Sequence, residues 1–162
     1  MLVEVAGSIL ESKKQQRGPL VVLDVGGGGG EVVRRLSEAL PLEGVIIDPV
    51  GGSPPDQFEM RREVFGPTSC AGEEYDLVLF CHCLYGGTNA EALVSRGVEL
   101  LASPGSRLVV AQRRKGPETA SKLKSLSKTF VASISTLEAR LNARDVLSDD
   151  RRLSLLLGNS RR

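Results

Sequence analysis

The stretch from Leu20 to Gly30, LVVLDVGGGGG, constrains this chain more than any other. An apolar run passes through one aspartate into five consecutive glycines, and a helical pattern, EVVRRLSEAL, starts at once. Leu20, Val21, Val22, Leu23 and Val25 suit a parallel strand covered on both faces, where apolar and polar residues need not alternate. Glycine is required where backbone turns sharply or where a ligand comes within van der Waals distance of it. Five in succession cost backbone entropy that a plain turn avoids by using one or two. The run reads as a ligand-binding loop between the first strand and first helix of a doubly wound α/β domain.

A chain of 162 residues makes one domain with a single core. A net charge of +1 with 25% charged residues gives no argument for nucleic acid or a membrane surface. Tryptophan is absent and aromatics are scarce, which argues against a stacking platform for single strands. The first residues, MLVEVAGSILESKKQQRG, carry Glu4 and Glu11 within the apolar portion and lack the basic-then-apolar order of a signal peptide. No apolar run reaches the ~20 residues of a bilayer span. Three cysteines, an odd number, do not make a disulfide framework, so a reduced, cytoplasmic protein is expected.

In order, the chain divides into an N-terminal helix within 1–18, a core over 19–115 and C-terminal helices over 116–162. The first helix would turn Leu2, Val5, Ala6 and Leu10 to one side. The helix after the glycines would bury Val32, Val33, Leu36 and Leu40, with Arg34, Arg35 and Glu38 opposite. Gly44 to Asp48 is a short second strand, and PVGGSPP after it cannot be regular structure. Residues 56–65 admit a helix or a ragged strand around Arg61 to Phe65; the strand is expected because such a sheet usually adds one here. Tyr75 to Cys81 is a buried strand. Thr88-x-x-Glu91 is a capping box opening a helix with Ala90, Leu93, Val94, Gly97, Val98 and Leu101 inward. Arg107 to Gln112 is the next strand. Gly116-Pro117 opens a long helix, and Ser148 begins a short last one.

Alternating strands and helices predict right-handed crossovers and a mostly parallel sheet, with ligands beyond the carboxyl ends of its strands. A dinucleotide fingerprint fails, because its third glycine would fall on Glu31 or Val32. A triphosphate loop fails for want of a lysine, and Glu31 would repel a phosphate.

What remains is Asp24-x-Gly26-x-Gly28-x-Gly30, which resembles motif I of the class I S-adenosylmethionine-dependent methyltransferases. Asp48 stands where that family places the acid that accepts hydrogen bonds from both ribose hydroxyls. YDLVLFCHCLY resembles the fourth-strand motif, and ELLASPGSRLVVA is similar to the family's helix-turn-strand phrase. The likeness covers about Leu20 to Gln112. It implies a three-layer α/β/α sheet and S-adenosylmethionine as cofactor, held by Asp24, Gly26, Gly28, Gly30 and Asp48 and flanked by Cys81 and His82. An activated sulfonium mainly needs donor and acceptor aligned, so no catalytic constellation is required, and none is seen. An acidic turn also suits a cation better than a phosphate.

Each of these residues has a plainer reading. Asp48 could cap a turn, and Asp24 could hold the glycine loop through backbone N–H groups. His82, the sole histidine, could be a partly buried strand-end residue rather than a substrate or cofactor contact, and Tyr85 a core or rim tyrosine rather than an acceptor-pocket wall. Adjacent residues of an extended Cys81-His82-Cys83 point to opposite faces and only Cys70 could supplement them, so no metal site is expected. Arg113 to Lys115 reads as a solvated loop.

The family pattern breaks in two places. Its last two strands have no counterpart, which would leave the fifth strand's edge open for a second copy or a helix. The span from Asp48 to Tyr75 is also short for a helix, a strand and another helix. A loose likeness to small-amine N-methyltransferases of the histamine type suggests an amine acceptor. A compact segment after Asp48 is similar to RNA 2′-O-methyltransferases, but Cys81 and His82 replace their aspartate. Methyl transfer to an unidentified acceptor is the main expectation, a non-catalytic binding or assembly module of the same fold the rival, and an RNA methyltransferase ranks below both.

Overall fold

The computed structural model describes residues 2–12, 18–84, 89–103 and 105–111. Within them lie α1 (Leu2–Ser12), β1 (Leu20–Val25), α2 (Glu31–Ser37), β2 (Leu42–Ile47), β3 (Phe58–Arg61), β4 (Leu77–Cys81), α3 (Ala90–Glu99) and β5 (Arg107–Ala111). The strands form one sheet in the order β3-β2-β1-β4-β5, and every pairing is parallel. Order reverses between β1 and β4, so their carboxyl ends splay apart as the crevice where doubly wound sheets bind ligands.

Strand β1 separates two apolar layers. Leu20 and Val22 join Ala6 and Ile9 of α1, Val33 and Leu36 of α2, and Leu77 and Leu79 of β4 on one side. Leu23 and Val25 join Val78, Phe80 and Ala90, Val94 and Val98 of α3 on the other. The expected three-layer α/β/α order is therefore present, and β1 is sealed on both faces as its composition implies.

Several expectations need correction. The third strand is real but lies earlier, at Phe58–Arg61, because Met60 and Arg61 continue the ladder beside Ile46 and Ile47 while Phe65 turns into the core. The second strand starts at Leu42, and α2 stops at Ser37, so Val33 and Leu36 are buried but Leu40 only partly. In α1 the buried residues include Ala6 and Ile9, one turn apart. Strand β4 begins at Leu77; Tyr75 makes only an isolated parallel bridge to Leu101. Helix α3 takes Asn89 as its N-cap, with no side-chain cap bond, in place of Thr88. Thr88, Arg113 to Lys115 and the C-terminal helices lie outside the described residues.

Between Pro49 and Asp76 the only regular element is β3, so two connections that would ordinarily be helical are loops. The second is packed rather than slack. Phe65 meets Phe80 edge-on at 5.8 Å, and Arg61 bonds Glu73 at 2.7 Å and Glu59 at 2.8 Å. Arg96 of α3 donates to the Ser69 carbonyl at 3.0 and 2.8 Å, clamping the loop from above.

Gly97 shows how closely α3 sits on the sheet, since a Cβ there would lie 2.7 Å from Leu108 and 2.8 Å from the Phe80 ring. Gly97→Ala gains about 1 kcal/mol of helix propensity and pays about 1–3 kcal/mol for overpacking. The Leu108 methyl can swing aside, but Phe80 is held by Phe65, so net destabilisation is expected in urea unfolding.

Candidate functional site

Beyond Val25 the chain turns through Gly26 to Gly30 and enters α2. Gly26, Gly28 and Gly30 adopt φ of 68°, 58° and 79°, a left-handed backbone that side chains disfavour. Gly26 N–H donates to Ile47 O at 2.7 Å, and Gly30 N–H to Gly27 O at 2.8 Å, which fixes the turn against β2. At Gly27 an added Cβ would come within 2.5 Å of Asp24 Oδ2, and at Gly26 it would collide with Cys83. Much of the glycine requirement is thus internal to the protein. At Gly28, by contrast, a Cβ would meet no described atom nearer than Glu31 Oε2 at 3.6 Å, so the turn is open there among the described residues.

Asp48 leaves the end of β2 half-buried and aims its carboxylate at this turn. Its Oδ2 accepts the Gly28 N–H at 3.0 Å and its Oδ1 the Val50 N–H at 2.8 Å. Each oxygen retains a second acceptor direction. The following loop lies against the turn, with Gly52 N–H donating to Gly28 O at 3.2 Å. Arg34 Nη2 bridges the Gly29 and Ser53 carbonyls at 3.2 and 3.4 Å, and Arg62 Nε reaches Gly51 O at 3.3 Å. The sequence reading missed this lacing. Its one signal was the Gly51-Gly52 pair directly after the acid, and Arg34 looked like an ordinary solvated helix residue.

Asp24 is fully buried beneath the turn, and neither carboxylate oxygen has a hydrogen-bond partner among the described residues. The expectation that it holds the loop through backbone N–H groups is therefore wrong: β1 turns its side chain into the apolar layer, below the donors that Asp48 reaches. Burial above all, then the nearby charges of Glu31 and Asp48, raise its pKa to about 7.

On the other flank, Cys81 is half-buried, His82 is exposed and Cys83 lies against Gly26. His82 has φ of 59° and donates its N–H to Ala111 O at 2.8 Å. The chain is bent here rather than extended, so the alternation used against a metal does not hold at His82. Among the described residues no group of three His, Cys, Asp or Glu is placed to hold a metal ion. Burial, with smaller contributions from Asp24, pushes both the Cys81 and Cys83 thiols up to about 12, and they stay protonated and poorly nucleophilic. The structure thus brings together Asp24, Gly26, Gly28, Gly30, Asp48, Cys81 and His82 at the carboxyl ends of β1, β2 and β4. Tyr85 lies outside the described residues.

The Asp24 carboxyl ionises less readily in the folded chain than in the unfolded one, so its contribution to stability declines as pH rises from about 4 to about 7 and is level above. Asp24→Asn removes that decline. The difference in unfolding free energy between variant and parent should grow across this window towards an upper bound of about 4 kcal/mol, read from denaturant titrations at pH 5 and 8.

No family model and no curated protein sequence matches the chain. Solved structures do. The N-methyltransferase NodS from Bradyrhizobium japonicum WM9 is similar with a TM-score of 0.53 and 15% identity over 80% of both chains. The plantazolicin methyltransferase BpumL, in complex with SAH, gives a TM-score of 0.56 and 16% identity over 82% of this chain and 55% of its own. The [4+2]-cyclase SpnF gives 0.53 and 15% over 81% and 56%. The chain thus spans little more than half the length of the last two. At such identities the likeness is one of fold: these residues have the fold of class I S-adenosylmethionine-dependent methyltransferases.

Proposed function

We propose that this chain, built on the methyltransferase sheet, binds S-adenosylmethionine across the glycine turn and transfers its methyl group to a small amine. The carrying observation is the acidic, glycine-lined turn at the strand-order reversal, with Asp48 aimed at Gly28 and Asp24 sealed beneath. The residues fit such a ligand. Glu31 and Asp48 stand at the turn with the acid Asp24 buried beneath it, and a cationic nucleoside is matched to them as a phosphate is not.

In this reading the free acceptor directions of Asp48 take the ribose hydroxyls, and the open face at Gly28 admits the ligand to bare backbone. Cys81 and His82 border it from the β4 side. The cofactor supplies an already activated methyl group, so the protein's share is alignment and exclusion of water. The amine acceptor rests on the sequence likeness to small-amine enzymes and on the NodS neighbour, itself an N-methyltransferase.

A second reading has its own support. Cys83 covers Gly26, and the Gly51 to Ser53 loop is bonded onto the turn, so the protein's own atoms occupy both flanks. SpnF, with a similar fold, is a cyclase, so this fold does not by itself fix methyl transfer. A binding or assembly module would keep the architecture without turnover. An RNA acceptor is less well supported, since Cys81 and His82 end β4 and net charge is near zero.

Calorimetry with S-adenosylmethionine and S-adenosylhomocysteine decides first: binding of either supports the cofactor assignment, and binding of neither refutes it. Asp48→Ala should then weaken affinity by about 1–3 kcal/mol, the scale of lost hydrogen bonds to a charged group. Unchanged affinity removes Asp48 from the ligand's contacts. Methylation of an amine panel separates the enzyme from the module.

A further inference from the structure

We propose that Asp24 senses the charge of the bound nucleoside, keeping its proton beside a neutral ligand and surrendering it when a cation is seated, so that the site favours the sulfonium over the spent thioether. The inference deepens the cofactor reading and rests on it.

The geometry is specific. Asp24 is fully buried, without a hydrogen-bond partner among the described residues, and its Oδ2 lies directly under Gly27, where even a methyl group has no room. A bare carboxylate in that position is poorly solvated, and the groups facing it make its charge still less welcome. Glu31 at the start of α2 and Asp48 at the end of β2 are acids, and Cys81 and Cys83 on the β4 side hold protonated thiols. The described buried residues of α1 and α2 on this face, Ala6, Ile9, Val33 and Leu36, are apolar. Arg34 is turned away to the Gly29 and Ser53 carbonyls. No described cation is thus bonded to Asp24, and its ordinary state at mildly acidic pH is the neutral acid.

A ligand bearing one extra positive charge over the turn supplies the missing counter-ion through a low-dielectric path, where charge interactions are strong. Asp24 then ionises and its proton leaves to solvent. Loss of the methyl group returns the ligand to neutrality and removes the reason for the charge, so product is held less well than substrate. Since the two ligands share ribose, adenine and amino-acid groups, contacts to those parts cannot discriminate between them. The buried carboxylate can.

The test is proton counting by calorimetry on the whole chain at pH 6, in two buffers of differing ionisation enthalpy. S-adenosylmethionine should release a substantial fraction of one proton and S-adenosylhomocysteine close to none. Affinity for the sulfonium should rise with pH between 6 and 7, by at most about tenfold per unit for a single proton, while that for the thioether stays flat. Asp24→Asn should abolish the difference in both readouts, whereas Glu43→Gln, an exposed acid near the amino end of β2, should leave it. Equal proton release by both ligands, or a difference that survives Asp24→Asn or vanishes in Glu43→Gln, overturns the proposal while leaving the cofactor assignment standing. Binding of neither ligand overturns both. The wild-type measurement needs no variant, so a misfolded Asp24→Asn chain does not spare the proposal.

Discussion

A buried carboxyl group with no hydrogen-bond partner among the described residues, fixed near the carboxyl end of a strand sealed on both faces, is the constraint around which the rest of this structure is arranged. Strand β1 runs between two apolar layers, and neither offers Asp24 a donor. Directly above it the chain must turn without side chains, because Gly27 leaves only the room that the carboxylate takes. An ordinary core would place an apolar residue at this position, since burying a charge costs far more than the space is worth.

The turn above it is held from two directions by different means. From β2, Asp48 accepts two backbone N–H groups, one from the turn and one from its own loop, so a single side chain sets the distance between them. From α2, Arg34 spans the same two segments through their carbonyls. A loop that in this fold would usually lead into a helix is instead bonded flat against the glycines. That economy explains how 28 residues, from Asp48 to Tyr75, can leave β2, form β3 and return for β4. The second loop compensates for its missing helix with Phe65 and Tyr75 as apolar plugs and with Arg61 and Arg96 as clamps.

Legibility in the sequence tracked the range of the forces involved. Strands β1 and β4 were plain because each is a run of residues sealed on both sides, and α3 because its stripe repeats at helical spacing. The third strand was harder. Four residues at a sheet edge carry little periodicity, and only their ladder with β2 fixes which four they are. The cap of α3 moved from Thr88 to Asn89, since helix boundaries answer to packing as much as to local hydrogen bonding.

The amino-acid order by itself determined the alternation of strand and helix, the glycine turn after β1 and the acid after β2, because these follow from composition and spacing along a few neighbouring residues. Only the tertiary structure decided what each glycine is for. Three answer to a left-handed backbone, Gly27 to the volume of Asp24, and Gly28 alone among the five combines that backbone with an open face. It also decided that Asp24 stands without a partner among the described residues while Asp48 takes the backbone donors. That assignment depends on which strand ends lie side by side, and residues 24 and 48 are brought to one turn only when β2 pairs with β1.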